Sequence, residues 1–108
     1  MTTHSLYTTL TTSIEEVKLL FEAHSPSALP VCEGNSFIGV LRKEAVEGAS
    51  KEALVSDYQY ALERFFVSLT ATWDTVIEAF ASYHTDMLPV INENQQFIGY
   101  YYLGDFIQ

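Results

Sequence analysis

Few side chains in this sequence have the types and spacing that could do chemistry. His84 and Asp86 lie close together in sequence, and His24 ends an earlier predicted helix, so these residues could together hold a metal ion. No ligand spacing requires a metal, and the pattern favours polar residues at helix ends. Cys32 lies on a predicted buried strand with no base nearby in sequence, which favours packing over nucleophilic reactivity.

Sequence motifs typical of catalysis are also missing. The chain contains no glycine loop that cradles a phosphate, no turn that presents a nucleophile and no paired metal-ligand motif. We therefore predict neither catalytic residues nor metal ligands, and we expect the protein not to be an enzyme.

The charge balance narrows the range of partners. Fourteen acidic residues against five basic ones give a formal net charge of −9. Nucleic-acid binding depends on Lys and Arg to neutralise phosphates, so we expect none. No apolar run approaches the roughly 20 residues of a membrane span, and the start of the chain lacks the segments of a signal peptide. With its single cysteine, the chain is predicted to be a cytoplasmic protein without membrane contact.

The elements that must position any site occur twice. The first half contains Leu29-Pro30-Val31 and Phe37-Ile38-Gly39, and the second half repeats them as Leu88-Pro89-Val90 and Phe97-Ile98-Gly99. An apolar helix pattern precedes each pair at nearly the same spacing, with one residue inserted in the second turn. Such self-similarity is typical of duplicated units that bury their apolar faces against each other.

Each copy is predicted to have the order strand, helix, strand, strand, helix. Ser13 and Thr72 have the hydroxyls that cap helix starts, and Ser25-Pro26 predicts the end of the first helix. The fold class is α/β (α+β), with two pseudo-two-fold-related repeats packed through their sheets. Repeat 1 is residues 1–48, and residues 49–108 hold a linker helix and repeat 2, whose last helix is cut short.

Several elements are predicted less directly from short patterns. Strands leading into the two copies are expected at residues 6–10 and 65–69. Helices are expected at residues 42–47, within the linker at 52–64, and from residue 104 to the end of the chain.

This order of elements resembles the cystathionine-β-synthase (CBS) domain, because Leu-Pro-Val lies on one strand and Gly, five residues and Asp follow the next. The resemblance covers nearly the whole chain as a tandem pair, or Bateman module. The stretches beginning at Leu88 and Gly99 are also similar to the CBS half of uncharacterised bacterial acetoin-utilisation-type regulators. Those proteins usually continue, so we expect another domain in a longer native chain.

The resemblance implies a regulatory module that binds an adenosine compound (AMP, ADP, ATP or S-adenosylmethionine) between the repeats, without a further cofactor, and that forms a homodimer through its helices. The family's ligand motif is Gly-apolar-x-Thr/Ser-x-x-Asp. In repeat 2 the corresponding stretch is Gly99-Tyr-Tyr-Tyr102-Leu-Gly-Asp105. The resemblance then implies that Asp105 holds the ribose and that Tyr102 contacts phosphate or base. The implied adenine pocket is lined by Thr70, Met87 and Leu88.

Repeat 1 retains less of this motif. Its stretch from Gly39 to Ala45 lacks both the hydroxyl and the carboxylate, although Arg42 could meet a phosphate or simply be a solvated residue at a strand end. The sequence therefore predicts one half-intact site, in repeat 2, and the acidic charge favours adenosine, AMP or S-adenosylmethionine over metal-free ATP. Two alternatives stay open: Asp105 as a helix-start acid only, and a ligand-free dimerisation or docking module.

Overall fold

The computed structural model describes residues 6–106, which form two three-stranded sheets with one α-helix each. The elements of repeat 1 are β1 (Thr8–Thr9), α1 (Ile14–His24), β2 (Ala28–Glu33) and β3 (Ser36–Arg42). The elements of repeat 2 are β4 (Val67–Ser68), α2 (Trp73–Ser82), β5 (Met87–Ile91) and β6 (Phe97–Tyr102). The predicted mixed fold of two repeats is confirmed.

The two sheets have the same topology and the same irregularity. In each sheet the first short strand is parallel to the second, and the second is antiparallel to the third. The register shifts between Val31 and Cys32 in repeat 1 and between Val90 and Ile91 in repeat 2. Because a bulge redirects the side chains that follow it, its duplication gives β3 and β6 equivalent faces.

Both helices begin, and α1 ends, where the sequence predicts. The hydroxyl of Ser13 accepts from the Glu16 amide at 3.2 Å, and that of Thr72 accepts from the Thr75 amide at 3.2 Å, which satisfies free donors of the first turn. Ser25 ends α1 in a left-handed conformation with φ of 51°. Its equivalent in repeat 2, His84, has the same φ and follows α2.

Equivalent residues meet across the pseudo-two-fold axis. Ser27 and Asp86 hold the same position in the two repeats, and the Ser27 hydroxyl donates to the Asp86 carboxylate. At the far end of the sheets, the Phe37 amide donates to the Gln95 carbonyl at 2.9 Å and the Phe97 amide to the Asn35 carbonyl at 3.0 Å. Reciprocal contacts of this kind define an isologous interface.

The core spans both repeats. One buried cluster joins β4, β5, β6 and α2 with Ala28, Phe37 and Val40 of repeat 1, while a second lies between α1, β2 and β3. Cys32 is buried, and its burial raises the thiol pKa to about 11, which fits the predicted packing role. No helix among the described residues is long and apolar enough to cross a membrane.

The helices predicted from short patterns are wrong in type. Residues 42–47 contain only a 3₁₀ turn, Lys43–Val46, which ends before Gly48 at φ of 79°. The linker holds a 3₁₀ segment, Val55–Ala61, whose backbone is non-helical at Tyr58.

The last element and the two lead-in strands are shorter than predicted. After β6 the chain forms a 3₁₀ turn at Leu103–Asp105, and the rest of the predicted last helix, residues 107–108, lies outside the described residues. The lead-in strands pair over Thr8–Thr9 and Val67–Ser68 only. Short segments gain too few hydrogen bonds to offset the cost of starting a helix, so local turns prevail.

Candidate functional site

A cavity lies where α1 of repeat 1 meets the end of β6 in repeat 2; we call it the repeat 2 cleft. Its volume is about 370 Å³, near the lower end of the range typical of small-molecule sites. Leu20 and His24, one turn apart on α1, line one side, and Leu6 contributes from the lead-in segment. Tyr100 and Tyr102 line the other side, because alternate residues of a strand share a face.

Tyr102 projects along this cleft without filling it. Its ring packs edge-on against Tyr100, with the centroids 5.0 Å apart. Burial raises the pKa of its hydroxyl to about 12, helped by the Tyr100 hydroxyl and by the negative charges of Asp86 and Asp105. Tyr102 is therefore a neutral hydrogen-bond donor at ordinary pH. The intervening Tyr101 points the other way, onto Trp73 and Phe106.

Asp105 lies in the turn that follows Tyr102, the last residue of the strand that lines the repeat 2 cleft. It ends the 3₁₀ turn that follows β6, and it is exposed. The turn is anchored by a hydrogen bond from the Leu103 amide to the Asp86 carbonyl at 2.8 Å. The turn therefore brings Asp86 and Asp105 to the strand end that carries Tyr102, where carboxylates can accept hydrogen bonds from hydroxyls and the Tyr102 hydroxyl can donate one.

The other residues predicted for the site lie elsewhere. Met87 and Leu88 are buried in the core at 2% and 0% exposure, and Gly99 is buried opposite Val90 in the ladder. Thr70 lines a separate cavity beside the turn between β5 and β6. That turn lies at the opposite end of β5 from Met87, about 13 Å away at the usual rise per residue. The structure brings together Tyr102 and Asp105, but not Thr70.

The equivalent position in repeat 1 is occupied by Arg42, and four of its five N–H donors are already hydrogen-bonded. Its Nε lies 2.5 Å from Oε2 of Glu63, and Nη2 lies 3.3 Å from the other carboxylate oxygen. Nη2 also donates to the Tyr83 carbonyl at 2.6 Å, and Nη1 to the His84 carbonyl at 3.0 Å. The guanidinium lies over the Phe65 ring, 5.2 Å from its centroid. A phosphate would have to replace these contacts.

Two residues of the repeat 2 cleft were not predicted as ligand contacts. His24 was considered as a metal ligand or, preferably, as a polar residue at a helix end, and within residues 6–106 no group of three or more His, Cys, Asp or Glu could hold a metal. Tyr100 lies inside the motif stretch that begins at Gly99, at a position to which the motif assigns no contact. The signal for both was the pseudo-symmetry itself, because it places the end of each helix against the last strand of the other repeat.

Comparison with solved structures shows the same fold. A CBS domain pair/ACT domain protein from Thermotoga maritima is 20% identical with a TM-score of 0.85, covering 98% of this chain and 88% of its own. The acetoin utilisation protein AcuB from Vibrio cholerae is 18% identical with a TM-score of 0.80, covering 99% and 83%. CBSX2, solved in complex with AMP, is 15% identical with a TM-score of 0.76, covering 97% and 84%.

Sequence comparison identifies the family. No curated protein matches the chain. The family model for the CBS domain matches residues 1–50 and again residues 55–108, so it accounts for both repeats. The chain belongs to the CBS domain family, as a tandem pair.

Proposed function

We propose that this CBS pair is a cytoplasmic regulatory module that binds an adenosine-containing ligand, of the class of AMP, ADP, ATP or S-adenosylmethionine, in the repeat 2 cleft. The observation that carries the proposal is the cavity of about 370 Å³ between the repeats, lined by Tyr102, which comes three residues before the retained Asp105. The AMP complex of CBSX2, a protein of the same fold, supports an adenosine ligand. The proposed role is regulatory rather than catalytic.

The side chains of the cleft suit the parts of a nucleoside. The exposed Asp105 carboxylate accepts hydrogen bonds from the ribose hydroxyls, as the family resemblance implies, and the neutral Tyr102 hydroxyl donates one. The rings of Tyr100 and Tyr102 and the side chain of Leu20 give an apolar and aromatic surface for a base. His24 adds a polar group across the cleft.

A ligand bound in this cleft changes which arrangement of the two repeats is favoured. The cleft has α1 of repeat 1 on one side and β6 of repeat 2 on the other, so a ligand there contacts both. It favours whichever arrangement of the repeats, or of two protomers, gives it the better contacts. The size of that shift is limited by the difference in affinity between the arrangements.

A thermal-shift titration tests the proposal with adenosine, AMP, ADP, ATP with and without Mg²⁺, and S-adenosylmethionine. A ligand at about a hundred times its Kd should stabilise the fold by roughly 2.7 kcal/mol. For a domain of this size that raises Tm by about 10 °C. Asp105→Ala should abolish the shift, whereas Glu93→Ala, which removes an exposed carboxylate from the other end of the sheet, should keep it. No shift with any compound overturns the proposal.

A second candidate function is dimerisation or docking onto another domain. Trp73 and Ile77 lie one turn apart on α2 and are 60% and 50% exposed, with Leu69 nearby at 46%. An apolar helix face of this kind favours a homodimer through the helices or a contact with another domain. The equivalent of Ile77 in repeat 1 is Lys18, so Ile77→Lys should abolish any dimer in sedimentation equilibrium. A monomeric parent protein would contradict the homodimer.

A further inference from the structure

A second cavity lies within repeat 1, between α1 and the 3₁₀ turn that follows β3; we call it the repeat 1 pocket. Its volume is about 260 Å³. Two lysines, two glutamates and two apolar side chains line it: Lys18, Lys43, Glu22, Glu47, Phe21 and Val46. None of these residues lines the repeat 2 cleft. Because a cavity of roughly 150 Å³ already holds a benzene ring, the repeat 1 pocket has room for a small molecule.

The equivalent position in repeat 2 is filled by a phenyl ring. Val46 and Phe106 hold the same position in the turns that follow β3 and β6. The Phe106 ring packs against Phe80, with the centroids 5.7 Å apart, and the equivalent of Phe80 in repeat 1 is Phe21. Val46 has no ring to place there. The base of the repeat 1 pocket, formed by the largely buried Phe21 and Val46, is therefore open where repeat 2 is filled.

The two lysines of the repeat 1 pocket also have no counterpart in repeat 2. Lys18 corresponds to Ile77 and Lys43 to Leu103, so cations stand where repeat 2 has apolar side chains. The Nζ of Lys18 donates to the Ala49 carbonyl at 2.8 Å, which holds this side chain in place. An ammonium group has three donors, so two remain for a ligand. A carboxylate is the group that such donors suit best.

Two carboxylates line the same pocket. Glu22 lies one turn after Lys18 on α1, and Glu47 directly follows the 3₁₀ turn that contains Lys43. Within residues 6–106, neither carboxylate forms an ion pair with a lysine. The formal charges of the four side chains cancel, so a simple anion or cation is attracted by one pair and repelled by the other. A ligand that carries both charges can pair with both.

We infer that the repeat 1 pocket binds a small zwitterion with an aromatic or branched apolar side chain, the class of the apolar α-amino acids. The apolar side chain of the ligand packs on Phe21 and Val46. Its carboxylate accepts hydrogen bonds from the lysines, and its ammonium group donates to the glutamates. The site is separate from the proposed adenosine site, since the two cavities share no residue. The module therefore has a second ligand class.

Calorimetric titration of the full chain tests the inference with L-phenylalanine, L-leucine, phenylpropionate, phenethylamine and glycine. Both apolar amino acids should bind. Phenylpropionate lacks the ammonium group and phenethylamine lacks the carboxylate, so each should bind about fivefold more weakly than L-phenylalanine, the effect of one exposed charge pair. Free glycine has no side chain to bury and should bind more weakly still. Equal affinities for L-phenylalanine and phenylpropionate, or no binding of either amino acid, would overturn the inference.

Three variants and an NMR titration locate the binding. Val46→Phe supplies the ring that repeat 2 has and should abolish binding of L-phenylalanine, and Lys43→Gln, at an exposed position, should weaken it about fivefold. Glu44→Gln, an exposed residue of the same turn that does not line the pocket, should leave Kd unchanged. In ¹⁵N-labelled protein, L-phenylalanine should shift the amides of Phe21 and Val46 but not that of Tyr102. Unchanged affinity in Val46→Phe or in Lys43→Gln, or shifts centred on Tyr102, would overturn the inference.

Discussion

The last strand of each repeat ends in a different side chain: Arg42 on β3 and Tyr102 on β6. Both side chains project toward the end of the other repeat's helix. Arg42 bonds to the carbonyls there and to Glu63, so it joins the end of β3 to the end of α2. Tyr102 packs on Tyr100 instead and leaves a cavity of about 370 Å³. The residues at these equivalent positions thus play different roles. Arg42 joins the repeats, whereas Tyr102 leaves a cavity that is open to a small molecule.

The charged groups around Arg42 and around Tyr102 also differ. Glu63 is anchored opposite β3 by two backbone hydrogen bonds with Val40, at 2.7 and 3.0 Å. Gly39 suits this close approach, since a Cβ there would lie only 3.1 Å from the Glu63 carbonyl oxygen. Repeat 1 therefore holds a carboxylate in place for Arg42. At Tyr102 the neighbouring charges are those of the carboxylates Asp86 and Asp105, which help to keep the Tyr102 hydroxyl protonated.

The largest change in stability should come from removing the Arg42 side chain. Arg42→Ala loses the ion pair with Glu63, two carbonyl acceptors and the contact with Phe65, and should lower the free energy of unfolding by about 2 kcal/mol. Chemical denaturation measures this. Lys43→Ala, which removes the adjacent exposed cation, is the matched control and should change stability by less than about 0.5 kcal/mol. Equal effects of the two variants would show that Arg42 does not join the repeats.

A smaller change, an increase in stability, should come from a substitution in the first lead-in strand, β1. Thr8 on β1 is 2% exposed, and its hydroxyl has no hydrogen-bond partner among the described residues. The equivalent residue on β4 is Val67, buried in an apolar core. Thr8→Val should therefore stabilise the protein by about 1 kcal/mol in chemical denaturation, and Val67→Thr should destabilise it by a similar amount or more. A loss of stability in Thr8→Val would contradict this account.

The smallest effect concerns alkaline pH. The pKa of Tyr102 is raised from 10.0 to about 12 in the folded protein, so its stabilising contribution is complete below pH 10 and disappears as pH rises through 12. Stability measured from pH 9 to 12 should fall, and fall less in Tyr102→Phe. Cys32, with its pKa raised to about 11, gives a slope of the same sign, so the comparison is best made in a Cys32→Ala background. If the slope of stability against pH is the same in Tyr102→Phe as in the parent protein, the raised pKa of the Tyr102 hydroxyl is contradicted.

The parts of the fold that could be predicted from sequence are those with long patterns or specific chemistry. The repeated Leu-Pro-Val and Phe-Ile-Gly stretches predicted the paired strands, and the hydroxyls of Ser13 and Thr72 predicted the helix starts. The 3₁₀ turns could not be predicted, because over four to seven residues the pattern of apolar and polar residues does not distinguish a 3₁₀ turn from an α-helix.

The site was predictable only within one strand and its turn. Tyr102 and Asp105 are close in sequence, so the motif placed them together. Thr70 was assigned to the same pocket, but it follows β4 at the wrong end of the sheet, and only the strand register shows this. His24 comes from the other repeat, and its approach to Tyr102 depends on how the repeats pack, which no local pattern encodes.

The measurement that most directly tests whether ligand binds beside Tyr102 rather than beside Arg42 is an NMR titration of ¹⁵N-labelled protein with adenosine. We expect the amides of His24, Tyr100, Tyr102 and Asp105 to shift, and those of Tyr83 and His84 and the Arg42 side-chain Nε–H to stay in place. Asp105→Ala should remove the response. Shifts centred on Arg42 and the end of α2, or no shifts at all, would contradict the assignment of ligand binding to the repeat 2 cleft.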